Sequence, residues 1–389
     1  MNIIFYCQYS WGMGHLVRSL EFARALSDHD VTLIAGGQQV DIDLPGHVRL
    51  TRLPVLYMDE MFTKLISGDS KRSVEQIQKD RQEILFGLFD QKKPDLFIIE
   101  LYPFGRSMFG FELEPLLRAI RDGQFGKIKT ICSLRDILVE KKHQAAYEER
   151  VLQKLNSYFD GLIVHSDANL LRLDETFSRA GDIQIPVIHA GFITQQTDPT
   201  RGVNLREKLG VTPEEKLIVA SAGGGRAGFK LLSSVIEACR MLDLSHGFRL
   251  EAFAGPFMMK DEFRKLCAHS TPDLRVRRYS KRFLDYLYAA DLSISLAGYN
   301  TCMNLLVTKV PALVYPYSRQ QEQPMRAEKI KKIIPMKILS ENDVHPEILS
   351  KHIEQMFQMT RPNSRQTLNL NGAATAARIL SQWINDSII

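Results

Sequence analysis

Residues 291–327, DLSISLAGYNTCMNLLVTKVPALVYPYSRQQEQPMRA, restrict the fold of this chain more than any other stretch. They read as a buried strand, a tight glycine turn, a helix, a second buried strand and a polar loop opening another helix. Two strands joined through a helix lie parallel in one sheet, covered on both faces. Asn300 and Thr301 fall where a helix N-terminus directs its free N–H groups and partial positive charge outward. One strand–helix unit further on, Gln320, Gln321, Glu322 and Gln323 occupy the corresponding loop. An anion site beside a hydroxyl-binding site, both at the carboxyl ends of adjacent strands, suits a nucleotide-sugar.

The same alternation runs along nearly the whole chain, as in parallel α/β proteins. In the first half strands are expected at 2–7, 31–35, 95–100, 129–133, 161–165 and 186–189. Helices are expected at 73–89, at 144–159 and at 15–26, where Leu16, Leu20, Ala23 and Leu26 share a face. The alternation restarts with strands at 217–221, 249–254, 274–278, 292–296 and 312–315. With 389 residues the chain is long for one core. The expected architecture is α/β, with two doubly wound Rossmann-like domains facing each other across a cleft: 1–191, a polar linker at 192–205, then 206–368. A last amphipathic helix within 369–389 is expected to cross back to the first domain.

A composition of 44% hydrophobic and 24% charged residues is that of an ordinary globular protein, and a net charge of +5 is mild. It accommodates an anionic substrate without implying nucleic acid. No run of eighteen apolar residues is present, and no basic leader precedes the first strand, so a cytoplasmic location is expected. Five cysteines without CxxC spacing and ten histidines without HxxxH or HExxH spacing point to a reducing compartment and no metal site.

Several loops carry candidate chemistry. In QYSWGMGH, residues 8–15, Gly12 and Gly14 permit close backbone approach and His15 opens the first helix. Val17 stands where a dinucleotide fingerprint needs its third glycine. A histidine there can serve as a general base. In SAGGGRAG, residues 221–228, Gly223, Gly224 and Gly225 with Arg226 present amides and a guanidinium to phosphate. Ser280, Arg282 and Phe283 can frame a flat base. Glu100 and Asp136 end buried strands and are further candidates for the base.

With those residues in view, the chain resembles the GT-B glycosyltransferases, in particular the MurG-like group with the family 28 C-terminal domain. The resemblance runs through GMGHLVR, LRDIL, GLIVHSD, the GGGR loop, AGYNT and EQPMRA, in that order and over nearly the whole chain. It implies a nucleotide-sugar, UDP-linked by default, in the second domain and an acceptor in the first, with inverting, metal-free transfer and no cofactor. By position it implies that Gly14 belongs to the first glycine loop and that Gly223–Gly225 and Arg226 approach the diphosphate. Gly298, Tyr299, Asn300 and Thr301 would bind the diphosphate, and Ser280, Arg282 and Phe283 the base. Glu322 and Gln323 would contact the sugar. Asn304 stands where relatives carry a ribose-binding Glu, and lacks the charge that strengthens such a bond. The acceptor is expected to be a small molecule, a glycan or a lipid-linked sugar. Residues 55–66, VLYMDEMFTKLI, are a candidate acceptor groove or point of peripheral membrane contact. Hydrolysis or epimerisation of a nucleotide-sugar, or binding without chemistry, are the alternatives.

Overall fold

A computed structural model describes residues 1–9, 13–59, 63–242, 247–317, 321–362 and 368–385. Gly12, Gln320 and residues 60–62 of the 55–66 stretch lie outside the described residues. The chain forms two compact units, Met1–Ile193 with Leu368–Ile389, and Thr194–Thr367.

The first unit contains β1 (Asn2–Cys7), α1 (Gly14–Ala25), β2 (Asp30–Ala35), β3 (Val48–Arg52), β4 (Leu56–Met58), β5 (Leu65–Ser67) and α2 (Val74–Lys92). It continues with β6 (Leu96–Glu100), α3 (Gly110–Arg121), β7 (Lys129–Arg135), α4 (Gln144–Tyr158), β8 (Gly161–His165) and β9 (Val187–His189). Seven strands form one parallel sheet in the order β3-β2-β1-β6-β7-β8-β9, while β4 and β5 pair as a small antiparallel hairpin. A parallel pair cannot be closed by a tight turn, so most crossovers carry a helix, while β2 reaches β3 and β8 reaches β9 through longer segments without an α-helix. α2 begins at a capping box: Ser73 Oγ accepts from the Gln76 N–H at 3.2 Å, and the Ser73 N–H donates to Gln76 Oε1 at 2.9 Å.

The second unit contains α5 (Thr200–Leu209), β10 (Lys216–Ser221), α6 (Phe229–Arg240), β11 (Phe248–Phe253), α7 (Lys260–Cys267), β12 (Leu274–Arg277) and α8 (Phe283–Ala289). Then come β13 (Leu292–Leu296), α9 (Tyr299–Thr308), β14 (Ala312–Tyr315), α10 (Glu322–Ile330), β15 (Met336–Ile338) and α11 (Pro346–Met356). Its six strands are parallel in the order β12-β11-β10-β13-β14-β15.

The expected linker at 192–205 is corrected in its second part, where α5 begins at Thr200. That helix buries Gly202, Leu205 and Leu209. Its apolar stripe was hidden because one contact point is a glycine: a Cβ on Gly202 would lie 2.5 Å from Tyr288 Cβ. Arg206 fastens α5 by donating to the Ala289 carbonyl at 3.0 Å and to Asp291 Oδ2 at 2.8 Å.

The last helix, α12 (Gly372–Asn385), packs in the first unit against α1, with Ala376, Ala377 and Leu380 in the core shared by β1 and β2. Trp383, one of two tryptophans, covers Gly161 so closely that a Cβ there would sit 2.5 Å from its ring. Gly161→Ala is expected to lower stability by about 1–3 kcal/mol through overpacking. A shifted tryptophan emission at unchanged secondary structure would show that the ring has moved, and an unchanged denaturation midpoint would refute the packing argument.

Candidate active site

In each sheet the strand order reverses at one point, between β1 and β6 in the first unit and between β10 and β13 in the second. Loops diverge there, and ligands of doubly wound sheets bind at the carboxyl ends of those strands.

In the first unit α1 carries His15 in its first turn and Arg18 three residues later, so both side chains fall on one face. β6 delivers Glu100 at its last position, 1% exposed. His15 Nδ1 lies 2.6 Å from Glu100 Oε1, and Arg18 Nη2 donates to the same oxygen at 2.5 Å. Arg18 is itself buried, with Nη2 3.2 Å from His15 Nδ1. An ionised carboxylate only accepts, so Nδ1 carries the imidazole proton and Nε2 keeps its lone pair. The His15 side chain is 22% exposed, so the ring remains reachable.

Burial pushes His15 down to about 3, and Glu100 opposes this only in part. Burial by itself would raise Glu100, but His15, Arg18 and Arg106 outweigh it and hold the carboxyl well below its usual range. With the imidazole neutral, His15 contributes a hydrogen bond, and the two arginines supply the positive field. The result is a neutral histidine oriented by an ionised carboxylate.

Asp136, 1% exposed, accepts from the Ile137 N–H at 2.9 Å and so braces the backbone after β7. Next to it, Ser133 Oγ lies 2.9 Å from Nε2 of the buried His165. Gly14 is the first residue of α1.

In the second unit the glycine loop after β10 is folded on itself. Gly223 and Gly225 have φ of 58° and 101°, a region that favours glycine. The Gly223 N–H donates to Ser221 Oγ at 3.1 Å, the Gly225 N–H to the Ala222 carbonyl at 3.1 Å, and the Gly224 carbonyl accepts from the Phe257 N–H at 3.0 Å. Three free amides were expected; among the described residues only that of Gly224 has no partner. Arg226 follows on the exposed side of the loop. A Cβ on Gly225 would lie 2.5 Å from the Ala254 carbonyl oxygen. Gly225→Ala is therefore expected to reshape this loop and weaken nucleoside diphosphate affinity about tenfold or more, a loss of at least about 1.4 kcal/mol by calorimetry. Unchanged affinity would remove the loop from the ligand site.

Across the reversal point, α9 starts at Gly298 without a side-chain cap. Tyr299 is buried, and Asn300 and Thr301 are partly exposed in the first turn. A Cβ on Gly298 would face open space, so packing does not require glycine there. Asn304, one turn on, is 5% exposed, yet its side-chain amide makes no hydrogen bond among the described residues. Glu322 and Gln323 open α10 and are both buried. Gln323 Oε1 accepts from the Tyr317 N–H at 2.8 Å, so this oxygen shapes the loop before α10. Ser280 Oγ accepts from the Arg282 N–H at 3.1 Å, and Arg282 Nε donates to the buried Asp285 at 2.7 Å. Phe283 stands edge-on to Phe253, 5.2 Å between centroids. Arg282 and Phe283 thus build the start of α8, within a loop of which Ser280 is partly exposed.

Sequence reasoning missed Arg18, Arg106 and Arg326. Arg18 had a signal, the i+3 spacing from His15. Arg326, 1% exposed, lies 5.5 Å from the Tyr299 ring and donates to the Ala297 carbonyl at 3.4 Å, joining α10 to the start of α9. Among the described residues no group of three His, Cys, Asp or Glu side chains converges as metal ligands would.

These two doubly wound units define a GT-B fold. The chain is similar to MurG of Acinetobacter baumannii, with a TM-score of 0.55, 16% identity and 99% of both chains covered. It is also similar to UGT2 of Phytolacca americana, solved with UDP-2-fluoro-glucose and pterostilbene: TM-score 0.59, 15% identity, 99% of this chain and 94% of that one. Residues 221–380 match the glycosyltransferase family 28 C-terminal domain. The UDP-N-acetylglucosamine–N-acetylmuramyl-(pentapeptide) pyrophosphoryl-undecaprenol N-acetylglucosamine transferase of Acetivibrio thermocellus is 24% identical over 185 residues, 46% of this chain and 50% of that protein. The chain thus spans about half the length of this curated relative. The chain has the GT-B fold, and residues 221–380 resemble the C-terminal domain of family 28 glycosyltransferases.

Proposed function

We propose that this protein transfers a sugar from a nucleoside diphosphate sugar, UDP-linked, to a hydroxyl or amine of an acceptor, with inversion and without a metal ion. The observation that carries the reading is the 2.6 Å contact between His15 Nδ1 and the buried Glu100 Oε1, which leaves Nε2 of the ring to take a proton. In this reading His15 Nε2 takes the proton of the attacking group while Glu100 stabilises the imidazolium that forms. Glu100 and Asp136, the other candidates, serve as orienting group and backbone brace. A single attack opposite the departing diphosphate inverts the anomeric carbon.

The second unit supplies the leaving-group side. The Gly224 amide, the N-terminal end of the α9 dipole and Arg226 favour the negative charge that grows on the departing diphosphate. Asn304 offers an amide for a ribose hydroxyl, and Glu322 lies in the first turn of α10 for the sugar. Five free cysteines suit a reducing compartment. No helix among the described residues is long and apolar enough to cross a membrane; a lipid-linked acceptor would be met at the membrane surface.

The test follows nucleoside diphosphate release from several nucleotide-sugars, with and without acceptor mixtures and with a chelator. Acceptor-dependent, chelator-insensitive release and a product of inverted configuration are expected. Release that ignores the acceptor would make the protein a hydrolase, and binding with no release would make it a sensor.

A further inference from the structure

The loop leaving β6 is held in costly backbone. Leu101 and Arg106 have φ of 68° and 62°, and neither is glycine. The turn closes through the Gly105 N–H on the Leu101 carbonyl at 2.9 Å, and Leu101 packs so near that a Cβ on Gly105 would lie 2.7 Å from it. This conformation brings the Arg106 side chain into the field of Glu100, Cys7 and Tyr6 at the carboxyl ends of β1 and β6.

Among the described residues the Arg106 guanidinium makes no hydrogen bond and no ion pair, and Nε is fully buried. Glu100 Oε2 is likewise buried without a partner, while Oε1 is held by His15 and Arg18, and among the described residues no hydrogen bond joins Arg106 to either oxygen. A buried Nε–H with no acceptor is unfavourable unless something else supplies an oxygen atom. The planar guanidinium fork matches two oxygens of a carboxylate or phosphate. Arg18 and Arg135 lie in the same field, so a single anion would be welcome beside Glu100.

We propose that Arg106 receives an anionic group of the acceptor, a carboxylate or a phosphate monoester, carried close to the hydroxyl that His15 deprotonates. The placement of that hydroxyl rests on the function proposed above; the anion site itself does not. The site is built from residues of the first unit alone.

The full-length protein labelled with ¹⁵N is titrated with inorganic phosphate and, separately, with acetate. The Arg106 Nε–H resonance, assigned by its loss in Arg106→Lys, and the His15 ring nitrogens are followed. One or both anions are expected to shift both residues, and the stronger of the two identifies the headgroup. The shift at His15 is expected to vanish in Arg106→Gln and to persist, weakened, in Arg106→Lys. As acceptors, glycerate and glycerol 3-phosphate are expected to exceed glycerol about ten- to hundredfold in kcat/KM, a preference erased in Arg106→Gln. Resonances that stay fixed in both titrations, or His15 shifts equal in wild type and Arg106→Gln, would overturn the assignment. UDP binding is measured on the same samples: its absence would overturn the glycosyltransferase reading while leaving the Arg106 result interpretable.

Discussion

His15→Ala is expected to lower kcat by about two to four orders of magnitude, the usual worth of a positioned general base, with donor affinity and fold intact. The geometry makes the effect specific. His15 donates through Nδ1 to Glu100 Oε1 at 2.6 Å, so only Nε2 can accept a proton, and its side chain is 22% exposed. Glu100→Gln separates orientation from basicity. It keeps a hydrogen-bond acceptor but removes the charge, so it is expected to lower kcat by less than His15→Ala. A loss under tenfold in His15→Ala would remove it as the base.

The pH dependence has a defined sign. His15 is pushed down to about 3 by burial, so it stays neutral across the physiological range, and kcat/KM should show no acid limb near its ordinary value of about 6.5. The unfolded chain protonates this histidine below about 6.5 while the folded one does not, so stability falls as pH drops from there toward 3. Glu100 acts in the same direction: its folded value is depressed, so its contribution is present above about 4.5 and is lost as pH falls further. Acid titration of the denaturation midpoint for wild type and His15→Gln checks this, since the variant should lose the upper part of the slope.

Arg81→Met is expected to cost about 3–5 kcal/mol of stability, because it leaves Glu112 ionised and unpaired in the interior. Both residues are fully buried. Arg81 Nε donates to Glu112 Oε2 at 2.7 Å, and Nη2 donates to Oε1 at 2.6 Å. The same guanidinium donates to the Pro54 carbonyl at 2.9 Å and to Gln8 Oε1 at 2.8 Å, while the Tyr6 hydroxyl donates to Glu112. The pair thus ties α2 and α3 to the end of β1, where the first glycine loop begins. Arg81→Met combined with Glu112→Leu should recover most of the loss, since apolar side chains can replace a buried pair. Recovery should be incomplete because the Tyr6 hydroxyl is left without its acceptor. Additive losses in the urea midpoints of the two single variants and the double would refute the coupling.

Much of the frame was legible because parallel strands buried on both faces are continuous apolar runs, as at β1, β6 and β8. β3, VRLTR, was not, since only Val48 is buried in it and its remaining residues are polar or partly exposed. α5 escaped for the opposite reason: Gly202 makes a close contact that no hydrophobicity pattern records. In the site, Asn300, Thr301 and the glycine loop could be placed because a strand–turn–helix unit fixes where its turn points. Their hydrogen bonds could not, and two of the three glycine amides proved to be spent inside the loop.

The sequence alone determined two parallel sheets, the turns at their reversal points and the residue types those turns expose, because these follow from local periodicity and backbone preference. Tertiary structure decided which charges meet. His15 and Glu100 are 85 positions apart, and only the β1–β6 pairing makes one the orienter of the other. Arg106 owes its place to a left-handed turn at a non-glycine residue, which no pattern of neighbours announces. Proton affinity and ion pairing depend on burial and on distances of a few ångströms, and these exist only once the chain has packed.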